Sequence, residues 1–150
     1  MHNYFESKVS YDKTMESGTS KKVTEPYLVD ALSFTEAEAR TIEELKPFIS
    51  GDFTITAIKR AKLSEIFFNE NGDRYFKAKV NFITIDVKAG KERKTSVLML
   101  AQACDIDEAK KVINKGMEGT LADYEVEALA ETKIMDVFPY SGEAKKIITI

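Results

Sequence analysis

Tyr4-Phe5-Glu6-Ser7-Lys8-Val9-Ser10-Tyr11 returns in pattern as Tyr75-Phe76-Lys77-Ala78-Lys79-Val80-Asn81-Phe82, 71 positions further along the chain. In each stretch aromatic and aliphatic residues alternate with polar ones, the period of a strand with one face buried. The same offset pairs Asp52-Phe53 with Asp123-Tyr124, Ile55 with Val126, Ile58 with Leu129 and Ile66-Phe67 with Val137-Phe138. Between these blocks Leu28, Ala31 and Glu36-Ala37 meet Leu100, Ala103 and Glu108-Ala109 at an offset of 72. One inserted and later one deleted residue reconciles the two offsets, so order-preserved agreement along the whole unit predicts two tandem copies.

Each copy reads as strand, strand, helix, strand. Second strands are expected over Val23–Leu32 and Thr95–Ala103, with Pro26, which lacks an amide proton, at an edge or bulge. Thr35-x-x-Glu38 and Asp105-x-x-Glu108 have capping-box spacing at the start of helical patterns. The helix faces are Phe34, Ala37, Thr41, Leu45 and Ile106, Ala109, Val112, Ile113, Met117, with Pro47 and Gly116 as stops. Third strands start at Phe53 and Tyr124 and are long enough to need a bend or bulge. Asn71-Gly72 between apolar runs is a strong hairpin signal, which predicts that the third strand of copy one pairs antiparallel with the first strand of copy two.

The expected fold is therefore α+β: a tandem duplication of a β-β-α-β unit, mainly antiparallel, with two helices and a pseudo-twofold relation. Whether the strands make one sheet or two stays open at this point. Residues 1–140 are expected to form a single domain, with repeats at about 4–68 and 75–138, followed by a C-terminal tail, 141–150.

Composition narrows the classes. Hydrophobic residues make up 43% and charged residues 31%, too apolar for a disordered chain. A net charge of −3 gives no bulk attraction for polyanions. Cys104 is the only cysteine, so no intrachain disulfide forms. The start Met1-His2-Asn3-Tyr4-Phe5-Glu6 lacks the basic residues and apolar run of a signal peptide, and no apolar stretch approaches the ~20 residues of a membrane span. The expectation is a cytoplasmic protein with no membrane role.

Several segments resemble a family known only as a domain of unknown function, made of proteins of similar length from Bacteroidales bacteria and their phages. They are Val23–Leu32, Pro47-Phe48-Ile49-Ser50-Gly51, Tyr75–Asp86 and Ile134-Met135-Asp136-Val137-Phe138-Pro139-Tyr140. The resemblance spans residues 4–140 and implies no catalytic residues. It agrees with a cytoplasmic bacterial or phage protein.

The catalytic inventory is thin. His2 is the only histidine, which removes Ser-His and Cys-His activation and most zinc sites from the monomer. Cys104 at a strand end beside a helix start reads as a packed core thiol, since the other copy has Leu32 there. Gly116-Met117-Glu118-Gly119 lacks the Lys-Ser/Thr of a phosphate loop. No metal and no cofactor is implied, and the chain leans away from being an enzyme.

Three functional readings follow. The first is a non-enzymatic protein-binding or assembly module with a protein partner or a homo-oligomer, in which Ile147, Ile148 and Ile150 of the apolar tail add a strand to a sheet edge. The alternative is a single-stranded nucleic-acid binder, with Tyr75, Lys77, Lys79 and Arg74 as a stacking and phosphate-contacting platform on an outward strand face. Lys59-Arg60-x-Lys62 adds a basic cluster. The other alternative is a small-molecule or metal-dependent enzyme at the repeat interface, using Glu65 and Asp136, which occupy matching positions. For each of these groups an ordinary solvated face is the competing explanation.

Overall fold

The computed structural model describes residues 3–140 and 145–150, and the fold is α+β. In chain order the elements are β1 (Tyr4–Thr14), β2 (Ser20–Asp30), α1 (Phe34–Leu45), β3 (Phe53–Ala61) and β4 (Glu65–Phe67). They continue with β5 (Arg74–Asp86), β6 (Lys91–Ala103), α2 (Ile106–Gly116), β7 (Asp123–Glu131) and β8 (Val137–Phe138). The strands form two four-stranded sheets, ordered β3-β1-β2-β8 and β7-β5-β6-β4. Both orders are the same when read by place in the repeat pattern. Both ladders also shift register at matching places, opposite Lys8/Val9 in the first sheet and Lys79/Val80 in the second.

The fourth strand of each sheet is not its own. β4 follows β3 in the chain but pairs with β6 of the second sheet, Glu65, Ile66 and Phe67 lying opposite Met99, Leu100 and Ala101. β8 follows β7 but pairs with β2 of the first, Leu28 and Val29 opposite Val137 and Phe138. The chain accordingly divides into two compact units, described residues 3–61 with 133–140, and 62–132 with 145–150. The crossing points, Ala61/Lys62 and Thr132/Lys133, are 71 positions apart, the same offset that relates Tyr4–Tyr11 to Tyr75–Phe82 in the sequence. Matching hydrogen bonds start the two arms: Met135 N–H donates to Pro26 C=O at 2.9 Å, and Ser64 N–H to Leu98 C=O at 2.8 Å.

This topology overturns the hairpin read from Asn71-Gly72. β4 is parallel to β6, and β6 stands between it and β5. Neither Asn71 nor Gly72 has the positive φ that a tight primed turn requires. Glycine is needed for room instead: a Cβ on Gly72 would lie 2.5 Å from the backbone nitrogen of Ala103 at the end of β6. Pro26 fits the edge-like place expected of it. Its carbonyl turns toward the arm, so its missing N–H also points there, where pairing with β8 begins only at Leu28.

In the first unit Phe5, Val29, Ala31 and Ala37 form one buried cluster, and Val9, Tyr27, Leu45 and Ile49 another. Phe138 of the arm packs on both and stacks on Tyr27 at 5.9 Å. Arg40 of α1 clasps the same arm: it donates to the Pro139 carbonyl at 3.1 Å, to that of Asp30, and lies over the Tyr140 ring. In the second unit Phe67 of the arm sits inside a cluster of Phe76, Ala78, Val80, Met99, Ala101, Val112, Ile113 and Met117.

Helix ends also differ from expectation. α1 is capped by Ser33, whose hydroxyl accepts from Glu36 N–H at 3.1 Å, two residues before the Thr35 box. In α2, Asp105 caps as expected, accepting from Glu108 N–H at 2.8 Å. Gly116 is the last helical residue without a left-handed φ. It is small because a Cβ there would lie 2.6 Å from the Phe67 ring. Gly116→Ala should cost about 1–3 kcal/mol through this overpacking, although alanine is the better helix former. Urea unfolding checks the sign.

Candidate functional site

A sheet edge is chemically unsatisfied, because half the backbone amides and carbonyls of its last strand have no partner strand. The two sheets expose edges of unequal kinds. At one end stand short arms: β8 has two residues, and β4 is continued by a parallel bridge from Phe68 to Ile147. At the other end stand β3 and β7, each of nine residues and each, among the described residues, paired with one neighbouring strand only.

Local bonding shows which groups face out. Thr132 N–H donates to Tyr75 C=O, so the backbones of Ala130 and Ala128 turn to β5 and those of Glu131 and Leu129 turn away. Past the register shift the outward set is Val126 and Tyr124. In the first sheet Pro26 turns its carbonyl away from β1, so its partner Lys8 turns its own backbone to β3. Ala57 therefore faces inward, and Ile58, Arg60, Ile55 and Phe53 present their amides outward.

These edges carry opposite charge. β3 contains Lys59 and Arg60 and no acid, whereas β7 contains Asp123, Glu125, Glu127 and Glu131 and no base. The next strand in answers each. Lys59 pairs with Glu6 of β1 at 3.1 Å, and Arg60 lies 5.2 Å from the centre of the Phe5 ring. Glu127 pairs with Lys79 of β5 at 2.6 Å, Glu131 with Arg74 at 3.4 Å, and Glu125 with Lys94 of β6 at 2.8 Å. Buried Asn81, 2% exposed, joins Glu125 and Glu127 on the face away from α2: its amide donates to Glu125 at 3.1 Å and Glu127 at 3.3 Å, and its oxygen accepts from Ser96 at 2.6 Å.

Hydrogen bonds from Lys94 and Lys79, with Asn81 second in each case, hold Glu125 and Glu127 below the usual carboxylate range. Their depressed folded values give a stabilisation present above the ordinary glutamate pKa and lost as pH falls through the folded values. The paired Glu125→Gln and Glu127→Gln substitutions should therefore flatten the acid limb of the stability curve, read as urea midpoints from neutral to acid pH.

The residues singled out by sequence are placed as follows. Tyr75 has the outward parity expected of it but is only 4% exposed, so its ring is not open to solvent; Lys77 is exposed, while Arg74 and Lys79 hold Glu131 and Glu127. In the second unit Glu65 pairs with Lys146 at 3.3 Å. In the first, Asp136 is exposed and its carboxylate accepts from Val137 N–H at 2.8 Å. Ile148 is buried in the second unit's core and bonded to Phe68 C=O at 2.7 Å, leaving Ile147 and Ile150 half exposed. His2 lies outside the described residues. Cys104 is exposed, not packed in the core, because it stands at the helix start, where its thiol reaches Asn71 C=O at 2.9 Å. Partial desolvation and then the Glu108 carboxylate push its pKa up, away from a reactive thiolate. Among the described residues no group of three or more His, Cys, Asp or Glu side chains could hold a metal ion.

Two features escaped the sequence reading. Glu25 sits at the core parity of β2 between Val23 and Tyr27, and that misplaced acid was the available signal. Tyr11 donates to it at 2.6 Å and Tyr27 at 3.5 Å; burial first and this bond second push Tyr11 up to about 12. The matching places in the second unit are Phe82, Val97 and Met99, all apolar. The second feature is an open cleft of about 390 Å³ at the end of α1 in the first unit, lined by Ile42, Lys46, Ile49, Gly51, Asp52 and Phe53.

No described helix is long and apolar enough to cross a membrane. No curated protein and no solved structure matches the chain significantly. A family model does match residues 3–140, which include all the elements from β1 to β8. The chain therefore belongs to the family described as a domain of unknown function, DUF4494.

Proposed function

We propose that this chain is a non-enzymatic binding and assembly module that acts by strand addition at β3 and β7. The observation that carries this reading is that each sheet ends in a nine-residue strand which, among the described residues, pairs on one side only. Strand addition draws affinity from main-chain hydrogen bonds, which such an edge offers, and specificity from side chains on either face. The tail, assigned this role from sequence, bridges Phe68 within its own unit, so the long edges take its place as the partner surface.

Single-stranded nucleic acid is the second reading, favoured by exposed Lys77 and by Lys8, Lys21 and Lys22 on β1 and β2. It ranks behind because Tyr75 offers no ring for stacking and Lys79 and Arg74 already hold acids. An enzyme built on Glu65 and Asp136 ranks third, as each carboxylate has a structural partner. Matching sheet orders and matching register shifts support descent from a duplicated unit. A cytoplasmic setting and a Bacteroidales or phage origin belong to the same proposal, resting on the lone thiol and the segment resemblance.

A displayed library of short peptides tests strand addition. Selected binders should slow amide exchange at Ile55 and Ile58 or at Val126 and Leu129. Binders that protect other segments only, or salt-sensitive oligonucleotide binding with no peptide selected, would overturn it.

A further inference from the structure

We propose that the partner at these edges is a second copy of this chain, with β3 of one copy pairing antiparallel to β7 of the next. This rests on the strand-addition reading and names its occupant.

Charge selects the pairing. Two β3 edges would put no acid across the seam from Lys59 and Arg60, and two β7 edges would join strands that carry four acids each and no base. Like charges directly opposite destabilise a sheet and opposite charges stabilise it. Only β3 against β7 is complementary. It also continues a pattern already present across each sheet, with charge alternating from strand to strand. Glu6 on β1 is followed by Lys59 on β3; Glu127 on β7 would come next, and Lys79 on β5 after it.

Faces and shape agree with charge. Antiparallel neighbours related by a twofold axis through the sheet keep their equivalent faces on one side. Lys59, whose partner Glu6 is on the face away from α1, then meets Glu125 and Glu127, which reach Asn81 on the face away from α2. In the register that sets the outward amides of Ile58 and Ile55 opposite those of Val126 and Leu129, Lys59 stands directly opposite Glu125, and on the helix side Arg60, over the Phe5 and Phe34 rings, stands opposite Tyr124. The two edges have equal length and register shifts at equivalent places, so their twist is matched. Such a contact joins two different patches. Every added copy leaves one β3 and one β7 free, which leads to a ring if the rotation closes and to an open array if it does not.

The test is charge exchange followed by light scattering. Wild-type mass should rise with concentration at low salt and fall at high salt. The full chain with Lys59→Glu and Arg60→Glu, and separately the full chain with Glu125→Lys and Glu127→Lys, should each be smaller than wild type. Mixed, they should form a one-to-one complex, because the acidic β3 of the first meets the basic β7 of the second. Circular dichroism checks that each is folded; if a reversal unfolds the chain, Gln replaces the reversed residue, and a weaker salt dependence is the expected readout. A wild-type chain that stays monomeric at every concentration, or an oligomer whose mass ignores all four substitutions, overturns the self-pairing. Library peptides that still protect the edges of a monomeric chain would then leave strand addition standing, whereas the absence of edge protection by any peptide removes both.

Discussion

Replacing Phe67 by alanine is expected to lower the unfolding free energy by about 3–5 kcal/mol, the range for emptying a large aromatic site that cannot collapse. Phe67 is fully buried, although it belongs to a three-residue strand. Its ring lies against Gly116 of α2, and its backbone is held in register with Ala101 of β6. The helix and the sheet fix the cavity walls, so little relaxation is available. Gly116→Ala distinguishes this from general damage. In the wild-type chain it overpacks the ring, but after Phe67→Ala the added methyl enters vacated space and should be neutral or stabilising. A double-mutant cycle measures that reversal as coupling.

Ending the chain after Thr132 is the second large perturbation. It removes β8 and the segment that Arg40 clasps. The first unit loses buried Val137, the Phe138 ring on Tyr27 and the Met135-to-Pro26 hydrogen bond. Burying a side chain of the size of valine contributes about 1.5–3 kcal/mol, and each hydrogen bond about 0.5–1.5 kcal/mol. The sum is comparable with the whole stability of a small domain, about 5–15 kcal/mol. Amide protection across β1, β2 and β3 should collapse. Ending the chain after Tyr140 instead should spare those strands. It should loosen the second unit, which loses Ile148 from its core and the Ile148-to-Phe68 bond.

Much of the fold was legible because it follows from periods of two and 3.6 residues. Alternation placed β1 and β5, and the α+β class followed; of the helix faces, Ala37, Thr41, Leu45, Ala109, Val112, Ile113 and Met117 are buried as expected, whereas Phe34 and Ile106 in the first turns are about half exposed. What sequence could not show was the crossing of the arms. The pattern gave one long third strand with a bend or bulge; the β1/β3 ladder does shift register, but β3 also ends at Ala61, and Glu65–Phe67 beyond the break pair with β6. Periodicity records which face of a strand is buried but not which neighbour it has. The Asn71-Gly72 reading failed for a related reason. Gly72 answers to the backbone of Ala103, a residue 31 positions away, and not to the turn it sits in.

Of the candidate site, the charges were visible and their arrangement was not. Lys59, Arg60 and Lys79 were noted as possible nucleic-acid contacts, yet Lys59 and Lys79 have acid partners on neighbouring strands, a relation that only the register reveals. Tyr75 alternates like an outward residue and is nonetheless buried, since alternation distinguishes two faces without saying that one of them meets water. The edges themselves have no sequence signature, because every strand carries the same amides. They become a site only once the sheet order is known.

The most direct test of edge-mediated assembly is amide hydrogen exchange at Ile55, Ile58, Val126 and Leu129 as a function of protein concentration. Strand addition between copies predicts that these four outward amides exchange rapidly in dilute solution, slow together as concentration rises, and become fast again at high salt. Rapid exchange at all four in concentrated, low-salt solution would contradict it.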